Sequence, residues 1–252
     1  MNEKYFEINE NNNNIRAKIY FSDMPKTDSV IIALHGFCGH KDNRQCAYLA
    51  ERVISKHKNF AMICFDLPCH GKDVKKKLLL SDCLDYFESV IKYAKETLSA
   101  KALYAFGVSF GGYLFLCYIK THENPFCRAV LRSPAIDMLS SVEKNIIDDE
   151  AKKLLMRGKE CEVGFDNKIT INQKFLDDLQ KNGISEYDFS DEIGKIMIIH
   201  GTNDEIASFD ISQRFANKNL CEFVKTDGAD HRFSNPKHTE EAIKNVLGFF
   251  DL

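Results

Sequence analysis

The strongest constraint on the fold is an alternation. Short apolar runs rich in Val, Ile and Phe recur at 29–34, 60–65, 102–106, 128–131, 195–200 and 222–225. Between them lie stretches with helical periodicity, at 42–56, 81–98, 110–120 and 210–217, and a last one at 239–250. A strand that is apolar at nearly every position is buried on both faces. Such strands, separated by helices, make βαβ units and a mostly parallel sheet. Ahead of them, β-rich runs at 5–8 and 15–21 flank Glu10 and a block of asparagines. Asparagine tolerates positive φ, so this block predicts a hairpin turn. The expected class is α/β, with an antiparallel hairpin at one edge of the sheet.

The alternation breaks between about 136 and 191. Helical character covers 140–157. Two β-like runs, 162–165 and 168–171, flank Asp166-Asn167 as in a small hairpin, and a helical stretch at 172–181 stops before Gly183. The segment is too long for a simple crossover and too broken for a domain of its own. The expected division is one sheet domain, 1–135 with 191–252, carrying an inserted cap at 136–190. A length of 252 residues suits that reading.

Charge and thiols exclude several functions. Lys and Arg total 34 against 37 Asp and Glu, with no basic block, so nothing favours nucleic acid as a partner. The longest apolar runs fall far short of the roughly 20 residues a spanning helix needs. The first ten residues carry Glu3, Lys4, Glu7 and Glu10 and lack a signal-peptide pattern. A soluble, cytoplasmic chain with reduced thiols and no membrane partner is expected. The nine cysteines show no zinc spacing and read as structural thiols, with no metal and no disulfide. Cys38 and Cys69 stand apart because they adjoin the motifs below.

Gly107-Val108-Ser109-Phe110-Gly111-Gly112 lies between a predicted strand and a predicted helix, the context a G-x-S-x-G nucleophile elbow requires. The turn is so tight that Gly107 and Gly111 must be small, and it presents the Ser109 hydroxyl. A serine hydroxyl needs a base. His231 follows the last strand, at the sheet end where open α/β folds place their sites. An imidazole needs a carboxylate to fix its tautomer. Asp204 follows the preceding strand. Asp137, after an earlier strand, is a rival acid. Glu205 is expected to point away, and Asp230 is too close to His231 in sequence to meet it well. After the strand at 29–34 comes His35-Gly36-Phe37-Cys38-Gly39. Its Phe37 N–H, with that of Phe110, is the natural pair of donors for a tetrahedral oxyanion. His35, His70 and His200, each in a His-Gly pair, read as structural.

Five islands, HGFCGHKDN at 35–43, DLPCHGKD at 66–73, GVSFGG at 107–112, HGTNDEIA at 200–207 and GADHRFS at 228–234, resemble the α/β-hydrolase superfamily in order and spacing. The first, fourth and fifth look most like the bacterial cinnamoyl (feruloyl) esterases. In that group the oxyanion loop begins HGF, the acid lies in HGTxD and the base in GADHxF. The resemblance carries over to Phe37, Asp204 and His231, with Ser109 and Phe110 from the elbow. The group's elbow is usually GHSQGG, so Val108 and Phe110 are departures. The resemblance implies an α/β-hydrolase fold and a cofactor-free serine carboxylesterase acting on a small soluble ester, hydroxycinnamoyl or short-chain. Phe37, Phe110 and the cap would line a slot for the acyl group. A peptidase, lipase or acyltransferase on the same fold, and a non-catalytic binding protein, are the alternatives. A charged cap argues against an emulsified lipid, and a homodimer paired through the cap is open.

Overall fold

Strand β1 (Asn2–Glu10) pairs antiparallel with β2 (Asn13–Phe21), with Phe6 opposite Ala17 and Ile8 opposite Ile15. β2 in turn runs antiparallel to β4 (Phe60–Phe65). From there the sheet is parallel: β4 pairs β3 (Ser29–Leu34), β3 pairs β5 (Ala102–Val108), and β5 pairs β6 (Arg128–Arg132). β6 pairs the strand Ile196–Gly201, which pairs the edge strand Glu222–Thr226. A separate hairpin, β7 (Cys161–Val163) with β8 (Ile169–Ile171), precedes those last two, which are therefore β9 and β10. The sheet order is β1-β2-β4-β3-β5-β6-β9-β10. This computed structural model describes every residue except 11–12, 24–26, 74 and 165–166. The predicted turn at Asn11-Asn12 and the second turn at Asp166, with Phe165 before it, lie outside the described residues.

Every residue of β3, β4 and β9 is buried, as continuous apolar runs require. One face of the sheet is covered by α1 (Arg44–Lys56) and α8 (Pro236–Phe249), through Leu49, Val53, Ile243 and Val246. The other is covered by α2 (Leu80–Lys92) and α3 (Phe110–Thr121), through Phe87, Val90, Leu114 and Phe115. The predicted helix at 81–98 divides, with α2 passing into a π-turn at Tyr93–Thr97.

Between β6 and β9 stand α4 (Met138–Asn145), α5 (Asp149–Met156), the β7–β8 hairpin and α6 (Gln173–Lys181). The helical stretch at 140–157 is thus two helices. Asp148 causes the break, because its side chain accepts the Ala151 N–H at 2.8 Å and starts a new N-terminus. Val142, Leu155, Cys161, Ile171 and Phe175 of this inserted segment belong to the same buried cluster as Phe87 and Leu114. The final helices are α7 (Phe209–Lys218), capped by Ser208, and α8, capped by Asn235 with proline in its first turn. Among the described residues, no helix is long and apolar enough to cross a membrane.

Candidate active site

β5 delivers Ser109 through a very sharp turn. Its backbone lies at φ 51, ψ −113, a conformation that side-chain-bearing residues avoid. The turn is held from several sides. The Ser109 N–H donates to the Arg132 carbonyl at 3.0 Å, and the Ser109 carbonyl accepts from Gly112, Tyr113 and Ala135. Close approach explains the glycines. A Cβ on Gly111 would stand 2.3 Å from the Leu34 carbonyl oxygen, and one on Gly107 would stand 2.9 Å from the Gly112 Cα.

His231 and Asp204 meet this serine although they are distant in sequence. His231 Nε2 lies 3.0 Å from Ser109 Oγ, and Nδ1 lies 2.9 and 2.8 Å from the two Asp204 oxygens. With a carboxylate against Nδ1, that nitrogen carries the hydrogen and Nε2 is left to accept from the hydroxyl. The loop of His231 is tied down by its neighbour's carbonyl. Arg232 O accepts from Gln45 Nε2 at 2.7 Å and from the buried Arg132 at 3.2 Å.

Asp204 is fully buried as a side chain, yet its donors are plentiful. Oδ1 accepts from the Ile206 and Ala207 N–H groups at 2.9 and 2.7 Å, and Oδ2 lies 3.0 Å from His200 Nε2. Burial disfavours its charge, but the hydrogen bonds from His200, His231 and the Ala207 amide outweigh that and hold the carboxyl well below the usual range. His200 was expected to be structural; it is a second donor to the acid. Its Nε2 also faces the Ala207 carbonyl at 3.1 Å, so both neighbours accept and Nε2 carries the hydrogen. The i, i+4 spacing from His200 to Asp204 was visible, but the turn that folds one back on the other was not.

The rival carboxylates are engaged elsewhere. Asp137 caps α4 by accepting the Ser140 N–H at 3.1 Å, and Asp230 accepts from Ser234. Glu205 corrects an expectation. Rather than pointing away, its carboxylate accepts the His231 backbone N–H at 3.2 Å and lines the cavity over Ser109.

The loop after β3 lies across from the elbow. His35 is buried with Nδ1 donating to the Gly36 carbonyl at 2.8 Å and Nε2 accepting the Leu67 N–H at 3.1 Å. Burial pushes it down to about 4, so it is a neutral fixture of this loop. Among the described residues, neither the Phe37 nor the Phe110 N–H has a backbone or side-chain acceptor. The buried Lys41–Asp66 pair, Nζ to Oδ2 at 2.8 Å, closes the loop, and Asp66 also accepts the Lys41 and Lys72 N–H groups.

A cavity of about 720 Å³ opens over Ser109. Its lining includes apolar Ala135, Met138, Ile146 and Ile206 and polar Arg44, Gln45 and Arg232. Phe37 lines it, but Phe110 does not. The Phe110 side chain is fully buried, packed against Phe37 and against Phe175 of α6 with ring centroids 5.7 and 6.4 Å away. As the first residue of α3 it turns its ring to the core, so the ring cannot form part of an acyl slot. Among the described residues, no group of three His, Cys, Asp or Glu is arranged to hold a metal ion.

Comparison with known proteins agrees with this architecture. Est1E from Butyrivibrio proteoclasticus, in a structure with ferulic acid bound, superposes with a TM-score of 0.78 at 20% identity over 97% of both chains. Mouse alpha/beta hydrolase domain-containing protein 10 gives 0.74 at 16% identity over 98% of both. The Pyrococcus furiosus esterase Pf2001 gives 0.73 at 18% identity, over 99% of this chain and 92% of the other. No curated protein matches the chain. The fold is that of the α/β-hydrolases. The model of the prolyl oligopeptidase family matches residues 69–252, which hold the elbow, Asp204 and His231, and the chain belongs to that family.

Proposed function

We propose that the protein is a serine carboxylesterase for a small soluble ester. The observation that carries this reading is the hydrogen-bonded line from Ser109 Oγ through His231 to Asp204, set beside two unengaged N–H groups. Ser109 attacks the ester carbonyl while His231 Nε2 takes its proton. Asp204 keeps the hydrogen on Nδ1 and stabilises the imidazolium. The Phe37 and Phe110 amides receive the oxyanion, a contribution typically worth about 3 kcal/mol per donor. His231 then returns the proton to the leaving alcohol, and water, activated by the same imidazole, releases the acid. Every step uses side chains and amides of this chain, with no cofactor.

The segment 136–190 acts in this reading as the cap. Its α4 supplies Met138 to the apolar part of the cavity lining, which suits an acyl group. Its outer surface, with Glu143, Lys144, Asp149, Glu150 and Lys152 exposed, suits a dissolved substrate better than a lipid surface. A cytoplasmic location, and the absence of nucleic-acid or membrane partners, belong to the same reading. Membership of the prolyl oligopeptidase family favours a second one, a peptidase using the same three residues.

A fluorophosphonate probe followed by peptide mapping tests the nucleophile. Modification at Ser109, and its loss in Ser109→Ala along with p-nitrophenyl ester turnover, is expected. Labelling elsewhere overturns the assignment. A panel of acyl lengths, hydroxycinnamate esters and aminoacyl amides ranks the two readings, and faster amide than ester turnover selects the peptidase.

A further inference from the structure

The loop that carries the Phe37 N–H is not held by the sheet domain alone. Gly36 is fixed from within, because its carbonyl accepts from His35 Nδ1 at 2.8 Å and from the Gly39 N–H at 2.9 Å. Cys38 is another matter. It sits at φ 61, the left-handed region that a residue with a Cβ enters at a cost of about 1–2 kcal/mol. Its carbonyl accepts from Asn167 Nδ2 at 3.0 Å, across 129 residues of chain. Asn167 belongs to the inserted segment, just before β8.

A second contact comes from the other arm of the same hairpin. Gly164, at φ +113, lies so close that a Cβ there would stand 2.3 Å from Cys38 Sγ and 2.7 Å from the Asn167 carbonyl. Only a glycine allows that approach. A third contact is made by α6, where the Phe175 ring stacks on Phe37 with centroids 6.2 Å apart. Three residues of the inserted segment, two on the hairpin and one on α6, thus converge on two consecutive residues of the oxyanion loop.

We infer that Asn167 is a positioning residue for the oxyanion hole: by fixing the Cys38 carbonyl, the docked β7–β8 hairpin holds the Phe37 N–H in its working direction. This rests on the esterase reading above and adds a consequence to it. The segment is then more than a wall of the cavity, since its docking completes the site. A donor that faces the oxyanion acts chiefly in the transition state, so the effect belongs to kcat rather than KM.

Asn167 is exposed, so replacing it leaves the core intact. Asn167→Ala removes the donor, and Asn167→Asp, nearly isosteric, sets an acceptor against the Cys38 carbonyl. Both are expected to lower kcat for a p-nitrophenyl ester about tenfold, with Asp at least as harmful as Ala. KM should stay within about twofold, and affinity for a trifluoromethyl ketone should fall in parallel with kcat. Glu162→Ala, exposed on the same hairpin, should match wild type. Fluorophosphonate labelling of wild-type Ser109 is run alongside. If Ser109 does not label, the esterase reading itself fails. If it labels and turns over ester while both Asn167 variants keep wild-type kcat and ketone affinity, or raise KM alone, the positioning role is overturned.

Discussion

Replacing Asp204 by asparagine tests the acid with its geometry almost unchanged. The direction of the new amide is dictated by its surroundings. Oδ1 accepts two backbone N–H groups, from Ile206 and Ala207, and these donors cannot reverse. The amide oxygen must therefore take the Oδ1 place, and the NH₂ must take the Oδ2 place, facing His231 Nδ1 and His200 Nε2. Donor then meets donor at His200, and the His231 Nδ1–H is left between an amide donor 2.8 Å away and an oxygen 2.9 Å away that already accepts two backbone N–H groups. His231 escapes by moving its hydrogen to Nε2, where it faces Ser109 Oγ and can no longer accept a proton. A serine triad in the wrong tautomer loses about 10⁴-fold in kcat, equivalent to about 5 kcal/mol of transition-state stabilisation. Asp204→Asn is expected to lose about that much in ester turnover, with KM little changed, whereas Asp137→Asn, which alters only the α4 cap, keeps near-wild-type kcat. Thermal melts against pH give a second readout. The Asp204 carboxyl is held below its unfolded value of about 4. Its contribution to stability is therefore present above about pH 4 and is lost as pH falls through the folded value. Asp204→Asn should melt below wild type at pH 7, and the gap should close in acid. An Asp204→Asn enzyme retaining a tenth of wild-type kcat, or an equal loss in Asp137→Asn, would refute the assignment.

Gly111→Ala should drive α3 off β3, because the clash at 2.3 Å is with backbone that cannot rotate away. A loss of about 2–3 kcal/mol, or some 5 °C in Tm, is expected with a fall in kcat. Gly248→Ala, in α8 with nothing within 4 Å, should instead gain up to about 1 kcal/mol. An equal response of the two variants would show that close packing at the elbow is not what requires glycine. Lys41→Met strands the fully buried Asp66 carboxylate and should cost about 3–5 kcal/mol by urea titration. A cost under about 1 kcal/mol would mean that the Lys41 and Lys72 amides suffice for that charge.

Ser109, Asp204 and His231 were legible because each follows a parallel strand at its carboxyl end, and topology alone gathers such positions. The positions of Phe37 and Phe110 beside that strand end were legible for the same reason, since a backbone N–H has one direction once the turn is set. Side-chain direction was less accessible. Whether Phe110 aims its ring into the cavity or the core depends on Phe175, 65 positions further along the chain in another element. The Glu205 contact likewise depends on how two loops approach. The asparagine of the Asp166-Asn167 pair, read only as turn-forming, proves to bond the loop after β3.

Backbone strain explains why these loops resist reading from sequence, and it has a consistent location. The non-glycine residues at positive φ include Cys38 after β3, Cys69 after β4, Ser109 after β5, Ser133 after β6 and Phe233 after β10. All follow the carboxyl ends of parallel strands, on the face that holds the cavity. The other three among the described residues, Ser99, Leu220 and Asp251, follow helices, where a left-handed residue is a routine terminus. Cysteine, serine and phenylalanine do not announce left-handed backbone as glycine or asparagine would. Each is held by a specific bond instead. The Ser133 N–H donates to Ile199 O at 2.8 Å, the Cys69 N–H to Asp73 Oδ2 at 2.8 Å, and Phe233 O accepts from Thr239 Oγ1 at 2.7 Å. Cys38 differs from these in one respect: the side chain on its carbonyl comes from the inserted segment. Strain collected on one face costs stability there and is kept only where its surroundings enforce it. At Ser109 it is enforced by backbone bonds to Arg132, Gly112, Tyr113 and Ala135, none of them in the inserted segment. At Cys38 the enforcement is shared with the β7–β8 hairpin, so in the esterase reading proposed above oxyanion stabilisation is the step that depends on how Asn167 sits.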